Sequence, residues 1–282
     1  MKTVRSNFAH GKSSGLILLD IEKAYYSVWQ EAIRHKMLIA NFPLELLKIL
    51  RSYLRNRSFQ VTIGGCLSDR KSIPFGVPQG SVLSPMLFNL FTADTIKVNG
   101  VTYFLFADDT GILASDRDPA VVVGTLQHAL NKLEEYQKKW KIRVNASKSQ
   151  AIFFTRRRSP QNLPRQEILV NGQPTGWLEK ARYLGMIFDK KLTFASHIQN
   201  RIQKCNQLMI ELYPVMERGT KLLLYESIFR PMMMYGFPAW YNCTRCHRKM
   251  LQVKQNRLLR IMLNLDSFHP TEEVHHIAGV MN

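Results

Sequence analysis

The sequence has few cysteines, few acidic residues and no apolar run of the length that crosses a bilayer. Its four cysteines are scattered, which excludes a disulfide framework and is consistent with a reducing compartment. They are Cys66, Cys205, Cys243 and Cys246. Cys243, Cys246 and His247 have the spacing of a zinc half-site, but no second ligand pair follows, so we interpret them as structural. The first residues lack the apolar segment of a signal peptide, so we expect a protein that is not secreted and has no membrane partner.

The shortage of acidic residues leaves 39 Lys and Arg against 21 Asp and Glu, a net charge of +18 over 282 residues. This excess favours a polyanionic partner, most simply nucleic acid, although a basic soluble surface is the alternative. Residues 138–158 hold eight Lys or Arg, no acid, one tryptophan and two phenylalanines. That mixture suits a surface that follows a phosphate backbone, and part of it is typical of a solvated helix end.

Hydrophobic patterning predicts strands and helices that alternate in the first two thirds of the chain, followed by helices alone. Strands are expected at 15–20, 58–63, 101–107, 111–114, within 144–154 together with a short turn, and within 167–188. Helices are expected at 24–38, 43–54, 84–95, 121–140, 196–216 and 220–229. The pattern therefore indicates an α+β fold, an antiparallel sheet with helices on one face, and a domain boundary near residue 192.

Asp108 and Asp109 lie at the tip of the predicted hairpin, and Asp20 ends the first predicted strand. Adjacent carboxylates repel each other and lose hydration when buried, so a chain that places them on strands usually offsets them with a cation. If the strands are neighbours, the three carboxylates meet at one edge of the sheet. Such an oxygen-rich site suits two Mg²⁺ ions and in-line phosphoryl transfer. A solvated turn is the alternative for an isolated Asp-Asp pair.

Five segments, in this order, resemble the conserved blocks of reverse transcriptases from non-LTR (LINE-type) retrotransposons, most closely the jockey-like group. Residues 18–25 are similar to motif A, 76–85 to motif B, 106–109 to motif C, 145–148 with 152–154 to motif D, and 183–185 to motif E. The resemblance implies a polymerase palm at 1–192 with partial fingers, and a helical thumb or connection at 193–282. It also implies an RNA-directed DNA polymerase that transfers nucleotides from dNTP to a primer 3′-hydroxyl on an RNA template.

The resemblance also implies roles for individual residues. Asp20 and Asp108 would bind both metal ions, Mg²⁺ or alternatively Mn²⁺, with support from Asp109. Tyr25 would lie under the incoming sugar and exclude a 2′-hydroxyl, although a core tyrosine is the alternative. The other implied substrate contacts are Ile21, Gln79, Gly80, Phe106 and Ala107. Lys148 would protonate the leaving pyrophosphate, the alternative being an ordinary surface lysine.

Two departures from the family pattern qualify these expectations. Tyr26 occupies a position that is usually Asp, and only 19 residues precede Asp20. We therefore expect an N-terminally truncated reverse transcriptase in which the fingers are largely missing. The alternative function is a catalytically inactive retroelement remnant that only binds nucleic acid. As part of a retroelement ribonucleoprotein, the protein is expected in the nucleus and cytoplasm of a eukaryotic cell.

Overall fold

The structure is a computed structural model that describes residues 1–157, 164, 166–213 and 220–280. The chain divides into two compact units, Asn7–Leu178 and a second made of Met1–Ser6 with Glu179–Asn282. This division falls at residue 178, before the last strands, whereas composition placed a boundary near 192. The assignment of palm to 1–192 and thumb to 193–282 stays a prediction. No helix within the described residues is long and apolar enough to span a membrane.

The first unit contains most of the strands. Its strands are β1 (Ser13–Ile21), β2 (Ser58–Phe59), β3 (Thr62–Ile63), β4 (Cys66–Leu67), β5 (Lys71–Ser72), β6 (Val101–Phe106), β7 (Asp109–Asp116), β8 (Val144–Phe154), β9 (Ile168–Val170), β10 (Gln173–Thr175) and β11 (Trp177–Leu178). Its helices are α2 (Ala24–Ser27), α3 (Gln30–Ile39), α4 (Leu44–Leu54), α5 (Leu83–Thr92) and α6 (Pro119–Trp140), and α1 (Lys2–Ala9) begins in the second unit and ends in the first.

A five-stranded sheet with the order β11-β8-β1-β7-β6 forms the centre of this unit. β1 is antiparallel to both of its neighbours, and β6 is antiparallel to β7. The predicted α+β class is confirmed, and the sheet is mixed because the short strand β11 runs parallel to β8. β1 is nearly continuous in apolar residues because it is buried along most of its length.

Helix α6 covers one face of the sheet. A Cβ atom at Gly15 of β1 would lie 2.6 Å from Leu126 and 3.0 Å from Val122, so glycine permits this close approach. Ile17 and Leu19 follow Gly15 at alternate positions and belong to the same hydrophobic core as α6. The alternation therefore directs Leu18 and Asp20 to the opposite face.

The second unit contains one hairpin and several helices. The hairpin is formed by β12 (Lys180–Tyr183) and β13 (Met186–Asp189), which pair in antiparallel register. The helices are α7 (Ala195–Leu212), α8 (Lys221–Leu224), a π-helical turn (Tyr225–Phe229), α9 (Arg230–Met234), α10 (Phe237–Trp240), α11 (Arg245–Leu263) and α12 (Thr271–Ala278). Side chains such as Tyr225, Phe229 and Leu258 are fully buried in this unit. The predicted helix 196–216 extends beyond Leu212 into residues that lie partly outside the described ones.

Three predicted elements differ from those observed. The helix expected at 24–38 is interrupted at Val28 and Trp29, and the strand expected at 58–63 is two short strands. The helix expected from 121 begins at Pro119, because the Asp118 carboxylate accepts a hydrogen bond from the Ala120 amide at 2.9 Å and caps the first turn.

Candidate active site

The three predicted metal-binding carboxylates lie together at one end of the sheet. Asp20 and Asp109 are directly opposite each other in the antiparallel pair β1–β7. Asp108 lies one residue away in the turn between β6 and β7, in which Phe106 pairs with Asp109. The expected hairpin is therefore confirmed, but its two-residue tip is Ala107-Asp108, and Asp109 already belongs to the strand.

Electrostatics at this end of the sheet are unfavourable to the carboxylates. The pKa of Asp109 is raised, first by loss of hydration and then by the negative charges of Asp108 and Asp20.

Ala107 holds a left-handed φ of 51°, a conformation that non-glycine residues seldom adopt and that often marks functional turns. Within the described residues, no three His, Cys, Asp or Glu side chains converge closely enough to form a ready-made metal site.

A bulge in β8 brings Lys148 to a cavity that Asp20 also lines. Leu18 pairs with Gln150 and Asp20 pairs with Asn145, so two steps along β1 correspond to five along β8. The Asn145 side chain closes the bulge by accepting hydrogen bonds from the Ser147 hydroxyl at 2.7 Å and the Lys148 amide at 3.2 Å. Asp20 and Lys148 consequently line one open cavity of about 620 Å³.

The loop that precedes α5 lies against the chain that follows Asp20. The amides of Gly76 and Val77 donate hydrogen bonds of 2.8 Å to the carbonyls of Val28 and Tyr25. Gly76 has a φ of +79°, and a Cβ atom there would lie 2.6 Å from the Tyr26 carbonyl oxygen. Only glycine fits this contact, so Gly76 fixes how closely the two segments approach.

Side-chain hydrogen bonds help to hold the exposed part of this loop. The Tyr26 hydroxyl donates to the side-chain oxygen of Gln79, and the hydroxyls of Tyr53 and Ser81 lie 2.5 Å apart. Gly80 has a φ of +85°, with open space where a side chain would be. Tyr26, which occupies a position that is usually Asp in the family, thus hydrogen-bonds Gln79, a predicted substrate contact.

The remaining predicted contacts are distributed over two faces. The Tyr25 ring is half-buried and packs on Phe88 with ring centroids 5.3 Å apart. The Phe106 side chain is 64% exposed. Phe106 pairs with Asp109 across the β6–β7 hairpin and directly precedes Ala107. Ile21, in contrast, packs against the hydrophobic core, since it follows Asp20 on the strand and faces the other way.

The basic stretch 138–158 does not form one surface. Lys139 lies over the Trp140 ring, 5.1 Å from its centroid, at the end of α6 that precedes β8. Arg156 lies over the Phe8 ring at 5.0 Å, beyond the other end of β8. Strand β8 separates these two groups, and its ends, Val144 and Phe154, pair with Ile21 and Ser14 of β1. Seven steps along β1 correspond to roughly 23 Å at the usual rise per residue. Arg158 lies outside the described residues.

The interpretation of Cys243 and Cys246 as structural residues stays a prediction. Cys243 is buried and Cys246 is exposed, and burial raises the pKa of the Cys243 thiol. The His247 ring hydrogen-bonds the Thr244 hydroxyl at 2.9 Å.

The family model described as "Reverse transcriptase (RNA-dependent DNA polymerase)" matches residues 1–188. The chain belongs to this reverse transcriptase family. The predicted resemblance is therefore confirmed, and the carboxylates of β1 and the β6–β7 turn lie within the matched region. Enzymes of this family use divalent metal ions.

Two proteins similar to this chain are polymerases of non-LTR retrotransposons. The chain is 31% identical over 262 residues to the RNA-directed DNA polymerase from mobile element jockey of Drosophila funebris, covering 88% of this chain and 28% of that protein. It is 29% identical over 271 residues to the probable RNA-directed DNA polymerase from transposon X-element of Drosophila melanogaster, covering 92% and 29%. The chain thus spans less than a third of the length of these relatives.

A solved structure supports the fold. Telomerase from Candida albicans, solved with a TWJ fragment of telomeric RNA, matches with a TM-score of 0.50 and 9% identity, over 100% of this chain and 54% of that one. At this identity the match shows a common fold alone.

Sequence reasoning missed two residues around the site. Ser149 donates to the Asn145 carbonyl at 2.8 Å and its oxygen lies 3.4 Å from the Asp20 amide. Tyr53 reaches Ser81 from α4. The contacts of Ser149 with Asp20 and of Tyr53 with Ser81 have no signal in local periodicity, because these partners are distant in sequence.

Proposed function

We propose that this chain carries out RNA-directed DNA synthesis, transferring nucleotides from dNTP to the 3′-hydroxyl of a DNA primer on an RNA template. The observation that carries the proposal is the direct pairing of Asp20 with Asp109, with Asp108 in the adjoining turn. Membership of the reverse transcriptase family supports it.

The chemistry of the residues present suits divalent cations, although the carboxylates must still converge to hold one, since no group of three does so within the described residues. Three carboxylates share one end of the sheet, and loss of hydration, followed by the negative charges of Asp108 and Asp20, raises the pKa of Asp109. Carboxylate oxygens are the ligands that Mg²⁺ prefers, with Mn²⁺ as an alternative. Asp20 and Asp108 would hold two ions with support from Asp109. When bound, such ions neutralise phosphate charge and activate the attacking hydroxyl.

The protein's own groups orient the reactants around these carboxylates. Lys148 shares the cavity beside Asp20, where its ammonium can donate a proton to the departing pyrophosphate oxygen. Exposed Phe106 offers a face to the primer terminus, and Ala107 lies next to it. The side-chain oxygen of Gln79 accepts from Tyr26, which leaves its amide N–H groups to donate to the nucleotide. Ile21 contributes through its backbone, since its side chain enters the core.

Tyr25 would select the sugar. Its ring is held by Phe88 on one side, and its carbonyl by Val77. A ring held in this way would occupy the space that a 2′-hydroxyl needs, as the family resemblance implies. We expect Tyr25→Ala to raise incorporation of ribonucleotides relative to deoxyribonucleotides in primer extension, and Tyr25→Phe to keep the discrimination. Equal discrimination in an active Tyr25→Ala protein would show that Tyr25 is only a core residue.

Primer extension on an RNA template with Mg²⁺ tests the proposal directly. Asp108→Asn should reduce extension by at least roughly a hundredfold, because the loss of one charged metal ligand removes transition-state stabilisation. Asp69→Asn, an exposed carboxylate between β4 and β5, is the matched control and should extend like the unaltered protein. Template binding without any extension by the unaltered protein would contradict the proposal and favour a remnant that only binds nucleic acid.

A further inference from the structure

A second cavity, distinct from the one that contains Asp20 and Lys148, lies between the chain after β1 and the C-terminal end of α6. Its volume is about 530 Å³. Among the described residues that line it are three aromatic side chains, four cations and a single carboxylate, Glu22. The aromatic residues are Tyr26, Trp29 and Phe75, and the cations are Lys23, Lys138, Lys141 and Arg143.

The walls of this cavity are fixed by the backbone. The Glu22 amide donates a 2.8 Å hydrogen bond to the Arg143 carbonyl, joining the segment after β1 to the segment before β8. The Lys141 ammonium lies 4.2 Å from the centroid of the Trp29 ring, which brings a cation against an aromatic face. Phe75 is 50% exposed and Tyr26 is 58% exposed, so both rings have free surface.

We propose that this cavity binds a nucleoside phosphate. Aromatic faces stack on bases, and lysine and arginine bind phosphate, so the two groups together suit this ligand. The ligand is either a free nucleotide or one nucleotide of a single strand. The inference goes beyond polymerisation because the cavity contains none of Asp20, Asp108 and Asp109.

An ordinary structural role explains only some of the residues that line the cavity. Lys138 and Lys141 lie at the C-terminal end of α6, where the helix dipole favours cations, and Lys138 also pairs with Glu134. The dipole does not explain Lys23, which comes from the segment after β1, or the exposed ring of Phe75 from the loop before α5. Three separate segments of the chain therefore contribute basic or aromatic side chains to one cavity.

Binding here would be transmitted to the candidate active site through Tyr26. Its ring lines the cavity while its hydroxyl holds Gln79, a predicted substrate contact. A base stacked on Tyr26 would thus fix the orientation of the Gln79 amide.

Photo-cross-linking tests the inference in the Asp108→Asn protein with excess chelator, which removes metal-dependent binding at the carboxylates. One arm uses a single-stranded RNA carrying 4-thiouridine, and the other uses 8-azido-dATP. We expect cross-links at Tyr26, Trp29 or Phe75 in at least one arm, and the productive arm identifies the source of the nucleotide. Extension by the protein with Asp108 intact is scored separately, so failure of the proposed polymerase activity does not affect this result.

Matched variants separate the cavity from the general charge. Phe75→Ala should reduce cross-linking at least fivefold, whereas Phe59→Ala, with an equally exposed ring at 51%, should not. Lys23→Asn and Lys141→Asn each remove a charge from the cavity at a left-handed backbone position, which asparagine tolerates. Both should reduce cross-linking, whereas Lys97→Asn, at an exposed lysine outside the cavity, should not. No cross-link at the three rings in either arm, or equal losses in Phe75→Ala and Phe59→Ala, would overturn the inference.

Discussion

Gly76 shows how one residue can set the distance between two functional segments. Its left-handed φ and the nearby Tyr26 backbone both exclude a side chain, whereas Gly64 has a φ of +56° with open space around it. We expect Gly64→Ala to cost about 1–2 kcal/mol, the left-handed backbone alone. Gly76→Ala should cost about 1–3 kcal/mol more, because overpacking adds to that strain. Urea unfolding measures both values, and equal losses would contradict the close contact.

His197 is a residue whose protonation the second unit opposes. It is fully buried, its Nδ1 accepts from the Ile187 amide at 3.4 Å, and its Nε2 lies 3.2 Å from the Tyr235 carbonyl. This arrangement requires a neutral ring with the proton on Nε2. Burial lowers the pKa of His197, and Arg201 and Arg182 lower it further.

The lowered pKa of His197 gives a signed prediction. Between the folded pKa and the unfolded value of 6.5, the unfolded chain binds more protons than the folded protein, so stability should rise with pH across this window. Conversely, acidification below 6.5 should destabilise the fold. His197→Gln should flatten this part of the profile of unfolding free energy against pH, and His276→Gln, an exposed histidine of α12, should not. An unchanged slope in His197→Gln would contradict the assignment.

At the scale of elements, Lys36 joins three helices. It lies on α3, is only 7% exposed, and its ammonium is 4.0 Å from the Trp140 ring centroid on α6. It also hydrogen-bonds the Phe91 carbonyl of α5 and the Asp94 carboxylate. Loss of hydration lowers the pKa of Lys36, while the hydrogen bond and the charge of Asp94 oppose this shift. We expect the packing of Lys36 to matter more for stability than its charge.

This junction should therefore depend on the volume of residue 36. Lys36→Ala should lower the free energy of unfolding by about 2–5 kcal/mol, as for other large buried side chains. Lys36→Met fills most of the space, and the Tyr136 hydroxyl still bonds Asp94 at 2.7 Å, so its cost should stay below about 1.5 kcal/mol. Lys132→Ala, on the exposed side of α6, should change stability by less than about 0.5 kcal/mol. Equal losses in the Met and Ala variants would show that the charge is essential.

Elements with a strong local signal were predictable, and those set by distant partners were not. The apolar run of β1 and the hairpin around Asp108 followed from patterning, and the motif order identified the family. The break at Val28 did not, because its carbonyl accepts from the Gly76 amide, a partner far away in sequence. The short turn expected within 144–154 is a bulge in β8, and its position is set by pairing with β1, which local periodicity does not record. The roles of the site residues stay predictions.

At the scale of the whole molecule, the net charge of +18 predicts binding to RNA that depends steeply on salt. Single strands release about 0.7 counterions for each phosphate that is neutralised. If at least four phosphates are contacted, affinity should fall at least roughly fiftyfold between 50 and 200 mM salt. Fluorescence anisotropy with RNAs of different sequence measures this dependence. Nearly constant affinity over this range would show that the charge is only a soluble surface.

The central position of β1 gives the two principal carboxylates different mobilities. Asp20 lies on a strand that is paired on both sides, whereas Asp108 lies in a turn beside the edge strand β6. Amide hydrogens of central strands exchange only through the largest openings of a fold, and those of turns exchange through small local ones. Slow exchange along β1 and fast exchange at Asp108 are therefore expected. We therefore expect Asp20 to keep its position when a ligand binds, and the turn that contains Asp108 to adjust to the ligand.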